Sequence, residues 1–225
     1  MKKVLLATAL SFCVSSAFAA ETAVLKVTGT LTNSACTPEL SNGGVVDYGN
    51  IHLGELSSTS VNQLGQKNIE LTITCGAATK VGFSTIDDRK ESQADIAVEN
   101  STYTNQTSTT DSYLFGLGQT TGGVNIGAYT VFLNLDQVTA DGNAVDSIYE
   151  QNQDGKWTST TERNTFQDDN IRIMTVAEKG SLEPLAFTTA VFPLTTSVAI
   201  QDTGTLAITD DTPLDGQITI SLNYL

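Results

Sequence analysis

Cysteine and histidine are the most reactive side chains of this sequence, and both are scarce. The chain holds three cysteines, Cys13, Cys36 and Cys75, and a single histidine, His52. Cys13 lies in an apolar N-terminal segment that would be cleaved off as part of an export signal peptide. In an oxidising compartment the remaining Cys36 and Cys75 are expected to form one disulfide, which stabilises the fold by roughly 4 kcal/mol in the chain-entropy model. Two free buried cysteines or a metal-binding pair are the alternatives, although the sequence contains no CxxC spacing.

Catalytic motifs are missing from the sequence. A Ser–His–Asp or Cys–His arrangement would have to use His52. There is no GxSxG, HExxH or P-loop motif. The Gly116-Leu117-Gly118 run lacks the third glycine of a dinucleotide loop and a following helix, and is interpreted as a turn or strand bulge. We therefore expect a protein that is not an enzyme and binds no cofactor.

The charge of the chain argues against several ligand classes. With 11 Lys and Arg against 25 Asp and Glu, the formal net charge is −14 at pH 7. Because phosphate contacts need Lys and Arg, the sequence predicts no binding to nucleic acid. Two acidic groups could in principle hold calcium: Asp87, Asp88, Glu91, Asp95 and Glu99, and Asp141, Asn143 and Asp146. Neither has EF-hand spacing, so they are interpreted as solvated surface and no metal site is predicted.

The first residues have the layout of a secretory signal peptide. Lys2 and Lys3 precede an apolar and small-residue run over 4–17, and Ala17-Phe18-Ala19 provides a small-x-small cleavage site. A signal peptide over 1–19 is therefore expected, with export into the periplasm. The apolar run is too short for a permanent membrane helix, and no later stretch approaches about twenty apolar residues, so no transmembrane anchor is predicted.

Most of the remaining sequence has the period-two pattern of half-buried strands. The clearest apolar faces are Ala23, Leu25 and Val27; Ile69, Leu71, Ile73 and Cys75; Tyr129, Val131, Leu133 and Leu135; and Ile218, Ile220, Leu222 and Tyr224. Turn dipeptides such as Asn42-Gly43 and Asp154-Gly155 separate these runs. Many short strands with frequent turns predict an antiparallel β-sandwich. The polar stretch 91–112 is expected to be an exposed loop, and 151–170 a hairpin that carries Trp157.

Four segments, in order along the chain, resemble those of bacterial chaperone–usher fimbrial subunits. Residues 27–37 (VTGTLTNSACT) are similar to the family's passage through a glycine into a first strand ending in cysteine. Residues 46–51 (VDYGNI) resemble its next strand, and 68–75 (NIELTITC) the strand with the second cysteine. Residues 215–225 (DGQITISLNYL) resemble its last strand with a penultimate tyrosine. This ending and residues 115–118 are closer to the longer, domain-of-unknown-function 1120 type of fimbrial proteins.

This resemblance implies an immunoglobulin-like, pilin-type antiparallel sandwich that lacks its final strand and is completed by a donor strand. Residues 20–28 would form an N-terminal donor extension and 29–225 the pilin-like domain. The implied donor side chains are Ala23, Leu25 and Val27, and the implied edge for a chaperone or donor comprises Ile218, Ile220, Leu222, Tyr224 and the Leu225 carboxylate. The implied partners are a periplasmic pilus chaperone, an outer-membrane usher and neighbouring fimbrial subunits, with the fimbria at the cell surface.

Two functions remain open at this point. The first is a structural subunit of a surface fimbria that polymerises by donor-strand exchange and supports cell adhesion. The alternative is an adhesin or carbohydrate-binding protein that does not polymerise and recognises a host or surface receptor through 91–112 and 151–170. In that case Tyr103, Tyr113 and Trp157 could form a sugar-binding surface. The pilin-like start follows the signal directly, which argues against a separate N-terminal lectin domain.

Overall fold

Alternating apolar residues build the strands as the period-two pattern predicts. In β2 (Asn62–Thr79), the side chains of Leu71, Ile73 and Cys75 are buried, while the residues between them are more exposed. The first strand, β1 (Cys36–Leu40), pairs with β2 in antiparallel orientation. This pairing places the two cysteines directly opposite each other, and they form the predicted disulfide.

The computed structural model describes residues 25–27, 29, 35–161 and 164–225. The remaining strands are β3 (Val81–Asp87), β4 (Phe115–Gly116), β5 (Gly127–Leu133), β6 (Thr139–Ala140), β7 (Asn143–Ala144), β8 (Asp146–Gln151), β9 (Thr158–Ser159), β10 (Arg172–Ala177), β11 (Phe187–Ile200) and β12 (Ile218–Tyr224). The short helix α1 (Thr203–Leu206) lies between β11 and β12, and short 3-10 turns occur at Ser41–Gly44, Leu53–Glu55, Lys90–Ser92, Asp111–Tyr113 and Leu135–Gln137. The described part of the chain is therefore all-β, as predicted, and contains no helix long and apolar enough to cross a membrane.

The strands form two antiparallel sheets that enclose one core. The larger sheet has the order β1-β2-β11-β5-β4, with β6 and β7 joined to β11, and the smaller has the order β12-β3-β10-β8-β9. Aromatic rings connect them: Phe83 of β3 lies 5.0 Å from Phe192 of β11 and 5.4 Å from Phe166, measured between ring centroids. All three rings are buried, so the predicted antiparallel sandwich is confirmed.

The strand β5 is buried on both faces, which corrects the prediction of a half-buried strand. Every residue of Gly127–Leu133 is buried, including Thr130, whose relative exposure is 0%. Leu135 does not extend the strand but begins a 3-10 turn. The outer face of β5 is covered because a second apolar cluster lies there, formed by Val98, Leu114, Ala128 and Ala199.

The polar stretch 91–112 provides much of this cover. It contains no strand and many of its residues are exposed, as predicted, but several others are buried, so it is not exposed throughout. Val98 and Ser101 within it are both 0% exposed. Neighbouring strands hold its backbone: the side-chain amide of Gln63 donates to the carbonyl of Ala97 (2.9 Å), and the hydroxyl of Ser197 donates to that of Glu99 (2.6 Å). The polar composition was misleading here because side chains of neighbouring strands bond to backbone groups that the packed segment leaves unpaired.

The hairpin predicted around Asp154-Gly155 is present. The strands β8 and β9 pair with Tyr149 opposite Thr158, and the turn lies between them. Gly155 has a φ of +71°, in the left-handed region that glycine adopts without a steric penalty. Trp157 is half-buried at the end of the turn.

Candidate strand-binding groove

The strand β12 has one paired edge and one open edge. It pairs with β3 in antiparallel orientation, from Ile218 opposite Asp87 to Tyr224 opposite Val81. It is the outermost strand of the smaller sheet, and no other strand in the described part of the chain pairs with it. An open edge carries a row of backbone donors and acceptors that another strand can use.

The backbone groups of β12 alternate between these two edges. Just outside the ladder, the N–H of Asp88 donates to the carbonyl of Gln217 (3.0 Å) and the N–H of Leu225 donates to that of Lys80 (3.1 Å). Because hydrogen-bonded and non-hydrogen-bonded pairs alternate in an antiparallel ladder, the odd-numbered residues of β12 bond to β3. The backbone N–H and C=O groups of the even-numbered residues, Ile218, Ile220, Leu222 and Tyr224, therefore point to the open edge.

An apolar groove of about 1000 Å³ runs along this open edge. Its floor is the inner face of the larger sheet, with lining side chains Ile69, Tyr129, Val131, Leu194, Val198 and Ile200. One wall consists of Ile218 and Ile220 with parts of the segment 206–217, and the other of residues 44–53 with Leu56. Apolar side chains on the second wall are open to solvent, since Val45 is 57% exposed and Leu53 42%. The groove thus combines an apolar floor with the open edge of a strand.

Tyr48 fixes the wall formed by 44–53 to the floor. Its hydroxyl lies 3.0 Å from the hydroxyl of Thr196 on β11 and 3.3 Å from the carbonyl of Gly65 on β2. Burial raises the pKa of Tyr48, and the hydrogen bond with Thr196 opposes that shift. The ammonium group of Lys67 lies 5.4 Å from the centroid of the Tyr48 ring. These contacts hold residues 44–53 in place, although no hydrogen-bonded strand pairing joins them to β12.

The segment 207–217 shapes the opposite wall where the chain enters β12. Asp202 caps α1 by accepting the N–H of Thr205 (2.8 Å), and Ala207 then turns the chain with a φ of +46°. At the other end of the segment, Arg89 forms an ion pair with Asp215 (Nε to Oδ2, 2.9 Å). A Cβ on Gly216 would lie 2.7 Å from the ring of Tyr129, so only glycine lets the chain pass this close to the floor.

The residues predicted for the acceptor edge lie on one strand, but they differ in surroundings. Ile218, Ile220 and Leu222 are half-buried and pack against the core. Tyr224 is 58% exposed, and its hydroxyl accepts the backbone N–H of Cys36 (2.8 Å). Leu225 lies just beyond the strand and is 43% exposed. The groove is lined by Ile218 and Ile220, whereas Leu222, Tyr224 and Leu225 continue the edge past it.

The predicted donor residues are only partly within the described chain. Ala23 and the predicted signal peptide over 1–19 lie outside the described residues. Leu25 and Val27 are described, form no strand, and are 89% and 90% exposed. Two large apolar side chains so close together in sequence are thus open to solvent, with Lys26 between them.

The groove floor and the wall over 44–53 were not identified from the sequence. The floor residues come from three strands far apart along the chain, and only their register in the larger sheet brings them together. Within the wall, Val46-Asp47-Tyr48 has strand-like composition, yet no strand forms there. Its lack of a ladder partner is a property of the tertiary structure, which the local sequence does not encode.

The other residues considered for chemistry have ordinary surroundings. His52 is exposed on the groove wall at the start of the Leu53–Glu55 turn. The Asp87 carboxylate accepts the N–H groups of Arg89 (2.8 Å) and Gly116 (2.7 Å), and burial raises its pKa. Among the described residues, no three His, Cys, Asp or Glu side chains are grouped so that they could hold a metal ion. The guanidinium group of Arg172 stacks on Tyr113, and its central carbon lies 5.3 Å from the centroid of the Tyr113 ring.

The chain is similar to known proteins over nearly its whole length. A family described as "Protein of unknown function (DUF1120)" matches residues 25–130. "Uncharacterized protein YhcF" of Escherichia coli (strain K12) is 31% identical over 235 residues, which cover 96% of this chain and 95% of that protein. "Protein GltF" of the same strain is 30% identical over 246 residues, covering 96% of this chain and 94% of that protein.

Proposed function

This chain belongs to the DUF1120 family of proteins of unknown function, and we propose that it is a structural subunit of a bacterial surface fimbria whose sandwich is completed by a strand from another chain. In this proposal a periplasmic chaperone fills the groove first. At an outer-membrane usher, a neighbouring subunit then replaces the chaperone. The assembled fimbria supports cell adhesion, and the protein is not an enzyme.

The observation that carries the proposal is the open edge of β12 beside an apolar groove. An added strand would bond to the backbone groups of Ile218, Ile220, Leu222 and Tyr224 and direct every second side chain onto the floor. The first two of these residues line the groove with their side chains, so one strand would satisfy both the backbone and the apolar surface.

The energetics favour a partner strand over an empty groove. Full burial of a Val or Leu side chain stabilises by roughly 1.5–3 kcal/mol, and Val45, Leu53 and the half-buried Ile218 and Ile220 all have area left to bury. An exposed apolar groove next to an open strand edge is also a site for non-specific aggregation. A chaperone that supplies a strand until the next subunit arrives would remove both problems.

Three further features support export and assembly. The disulfide Cys36–Cys75 suits an oxidising compartment such as the periplasm. The N-terminal sequence has the pattern of a signal peptide, and the resemblance to fimbrial subunits covers both β12 and the residues before β1. The exposed Leu25 and Val27 have the period-two spacing that a donor strand needs.

The proposal can be tested by supplying the missing strand. The chain is expressed in the periplasm alone, with a pilus chaperone, and with a second copy of residues 20–28 fused after Leu225 through a flexible linker. We expect the chain alone to aggregate or melt at low temperature, and both additions to raise the melting temperature. A matched fusion in which the added copies of Ala23, Leu25 and Val27 are replaced by Ser should not stabilise the chain.

A soluble chain that melts sharply and ignores both additions would contradict the proposal. It would mean that the described sandwich needs no partner strand. The non-polymerising adhesin would then become the better explanation, and glycan binding through 91–112 and 151–170 would be the next property to measure.

A further inference from the structure

The lining of the groove is unbalanced in charge. Three of its lining residues are acidic, Asp47, Asp210 and Asp211, and all three are exposed. Among the lining residues that the structure describes, none is Lys or Arg, and one is a histidine, His52. An occupant of the groove therefore meets a negative rim around an apolar floor.

The part of this negative charge that could act on an occupant of the groove belongs to Asp210 and Asp211. We call these two residues the acidic lip. Asp215, in the same wall, is already paired with Arg89 (2.9 Å). Asp47 uses one carboxylate oxygen to accept the N–H of Gly49 (2.7 Å). The acidic lip forms no ion pair with any residue that the structure describes.

The acidic lip lies where an added strand would pass it. It lines the groove together with Ile218 and Ile220, whereas Leu222 and Tyr224 do not line it, so the acidic lip borders the Ile218 part of the open edge. A strand paired along Ile218–Tyr224 reaches this end with its last or first residues, depending on its direction. Side chains of that strand that do not enter the floor point away from it, and those nearest the Ile218 end would meet the exposed carboxylates of the acidic lip.

On the basis of the function proposed above, we propose that the acidic lip selects the strand that fills the groove. The preferred occupant has alternating apolar residues with a Lys or Arg placed to meet Asp210 and Asp211. Opposite charges strengthen and orient the encounter, while a Glu or Asp at that position is repelled. Each exposed ion pair changes affinity by about two- to fivefold, so selection rests on both carboxylates acting together.

Residues 20–28 of this chain supply a suitable probe. The segment has Lys26 between Leu25 and Val27, and its sequence is AETAVLKVT. When it is fused after Leu225, it runs antiparallel to β12 from the Tyr224 end toward the Ile218 end. Because β12 has 7 residues, the added Lys26 arrives near the acidic lip.

The test compares three such fusions, which carry Lys, Gln or Glu at the added position 26. Each is measured in the unmodified chain, in an Asp210→Asn/Asp211→Asn variant, and in a Glu178→Gln/Glu183→Gln control. The control removes the same charge from two exposed acids that do not line the groove. The readout is melting temperature at low and high salt, since exposed ion pairs are screened by salt.

We expect the Lys fusion to melt about 2–4 °C above the Glu fusion at low salt, with the Gln fusion between them. High salt and the Asp210→Asn/Asp211→Asn variant should each abolish this order, while the Glu178→Gln/Glu183→Gln control keeps it. Equal stabilisation by all three fusions, or an order that survives loss of the acidic lip, would overturn the selection but leave the strand-binding groove intact. If no fusion stabilises the chain, both the selection and the proposed function fail.

Discussion

The hydroxyl oxygen of Tyr224 accepts a 2.8 Å hydrogen bond from the backbone N–H of Cys36. This bond joins the end of β12, in the smaller sheet, to the start of β1, in the larger sheet. It lies beside the disulfide, so the open edge and the covalent link meet at one corner of the sandwich. The corner fixes the Tyr224 end of β12, while the Ile218 end borders the groove.

Removing the Tyr224 hydroxyl tests this corner. Tyr224→Phe keeps the ring but leaves the Cys36 N–H without its acceptor, so we expect a loss of about 1 kcal/mol in the free energy of unfolding. Urea denaturation measures the difference. Tyr103→Phe is the control, since it removes an exposed hydroxyl that bonds to Asp136, and its effect should stay within about 0.5 kcal/mol. Equal losses of unfolding free energy in both variants would show that the Tyr224 hydrogen bond stabilises the fold no more than the exposed Tyr103 hydrogen bond.

Gly116 has no room for a side chain. A Cβ there would lie 1.9 Å from the carbonyl oxygen of Arg89 and 2.6 Å from the Ser92 hydroxyl. Gly116→Ala should therefore destabilise the fold by about 3 kcal/mol or more, because the nearest atom is backbone and cannot move aside. Gly122→Ala is the matched control, with its nearest neighbour 3.7 Å away. A melting temperature for Gly116→Ala equal to that of the control would contradict this packing.

The hydrogen bonds of the Asp141 carboxylate predict that the stability of the fold depends on pH in the acid range. A hydrogen bond from the Thr188 hydroxyl (2.5 Å), followed by the N–H of Thr189 (2.8 Å), lowers the pKa of Asp141 from its ordinary value of 3.8. A depressed folded pKa stabilises the fold above the unfolded pKa, and that stability is lost as pH falls through the folded value. Acidification below about pH 4 should therefore weaken the attachment of the turn between β6 and β7 to β11.

Thr188→Val isolates the main cause of this shift. It removes the hydroxyl donor, so the Asp141 carboxyl should titrate closer to its ordinary pKa in an NMR titration, and melting should depend less on pH in the acid range. Thr79→Val removes a hydroxyl that bonds only to the Ala77 carbonyl and should leave the Asp141 titration unchanged. An unchanged titration in Thr188→Val would assign the shift to some other group.

Local patterns in the sequence were sufficient for the strands and the disulfide. Alternation over residues 71–75 in β2 and over residues 218–222 in β12 translated into alternating burial, because each of these parts has one face toward the core. The cysteine count was sufficient for Cys36–Cys75 once export was expected. The Asp154-Gly155 turn was also identified, since glycine supplies the positive φ that this turn uses.

Features created by tertiary packing could not be read from local patterns. Val98 is buried although it lies within a polar segment, because the backbone of 91–112 bonds to neighbouring side chains, which its composition does not reveal. The floor of the groove is formed by residues from β2, β5 and β11 that only sheet register brings together. The acidic lip could not be predicted from the sequence either, because Asp210 and Asp211 differ from other exposed acids only in lining the groove.

Amide hydrogen exchange along β12 can show whether one edge of this strand is open and accepts a partner strand. In the chain without a partner strand, the amides of Ile218, Ile220 and Leu222 should exchange much faster than those of Thr219, Ser221 and Asn223, because only the latter bond to β3. Fusing residues 20–28 after Leu225 should slow the first set to the rate of the second. Even-numbered amides that are already protected in the chain alone, or that continue to exchange rapidly once the strand is supplied, would contradict an open, strand-accepting edge.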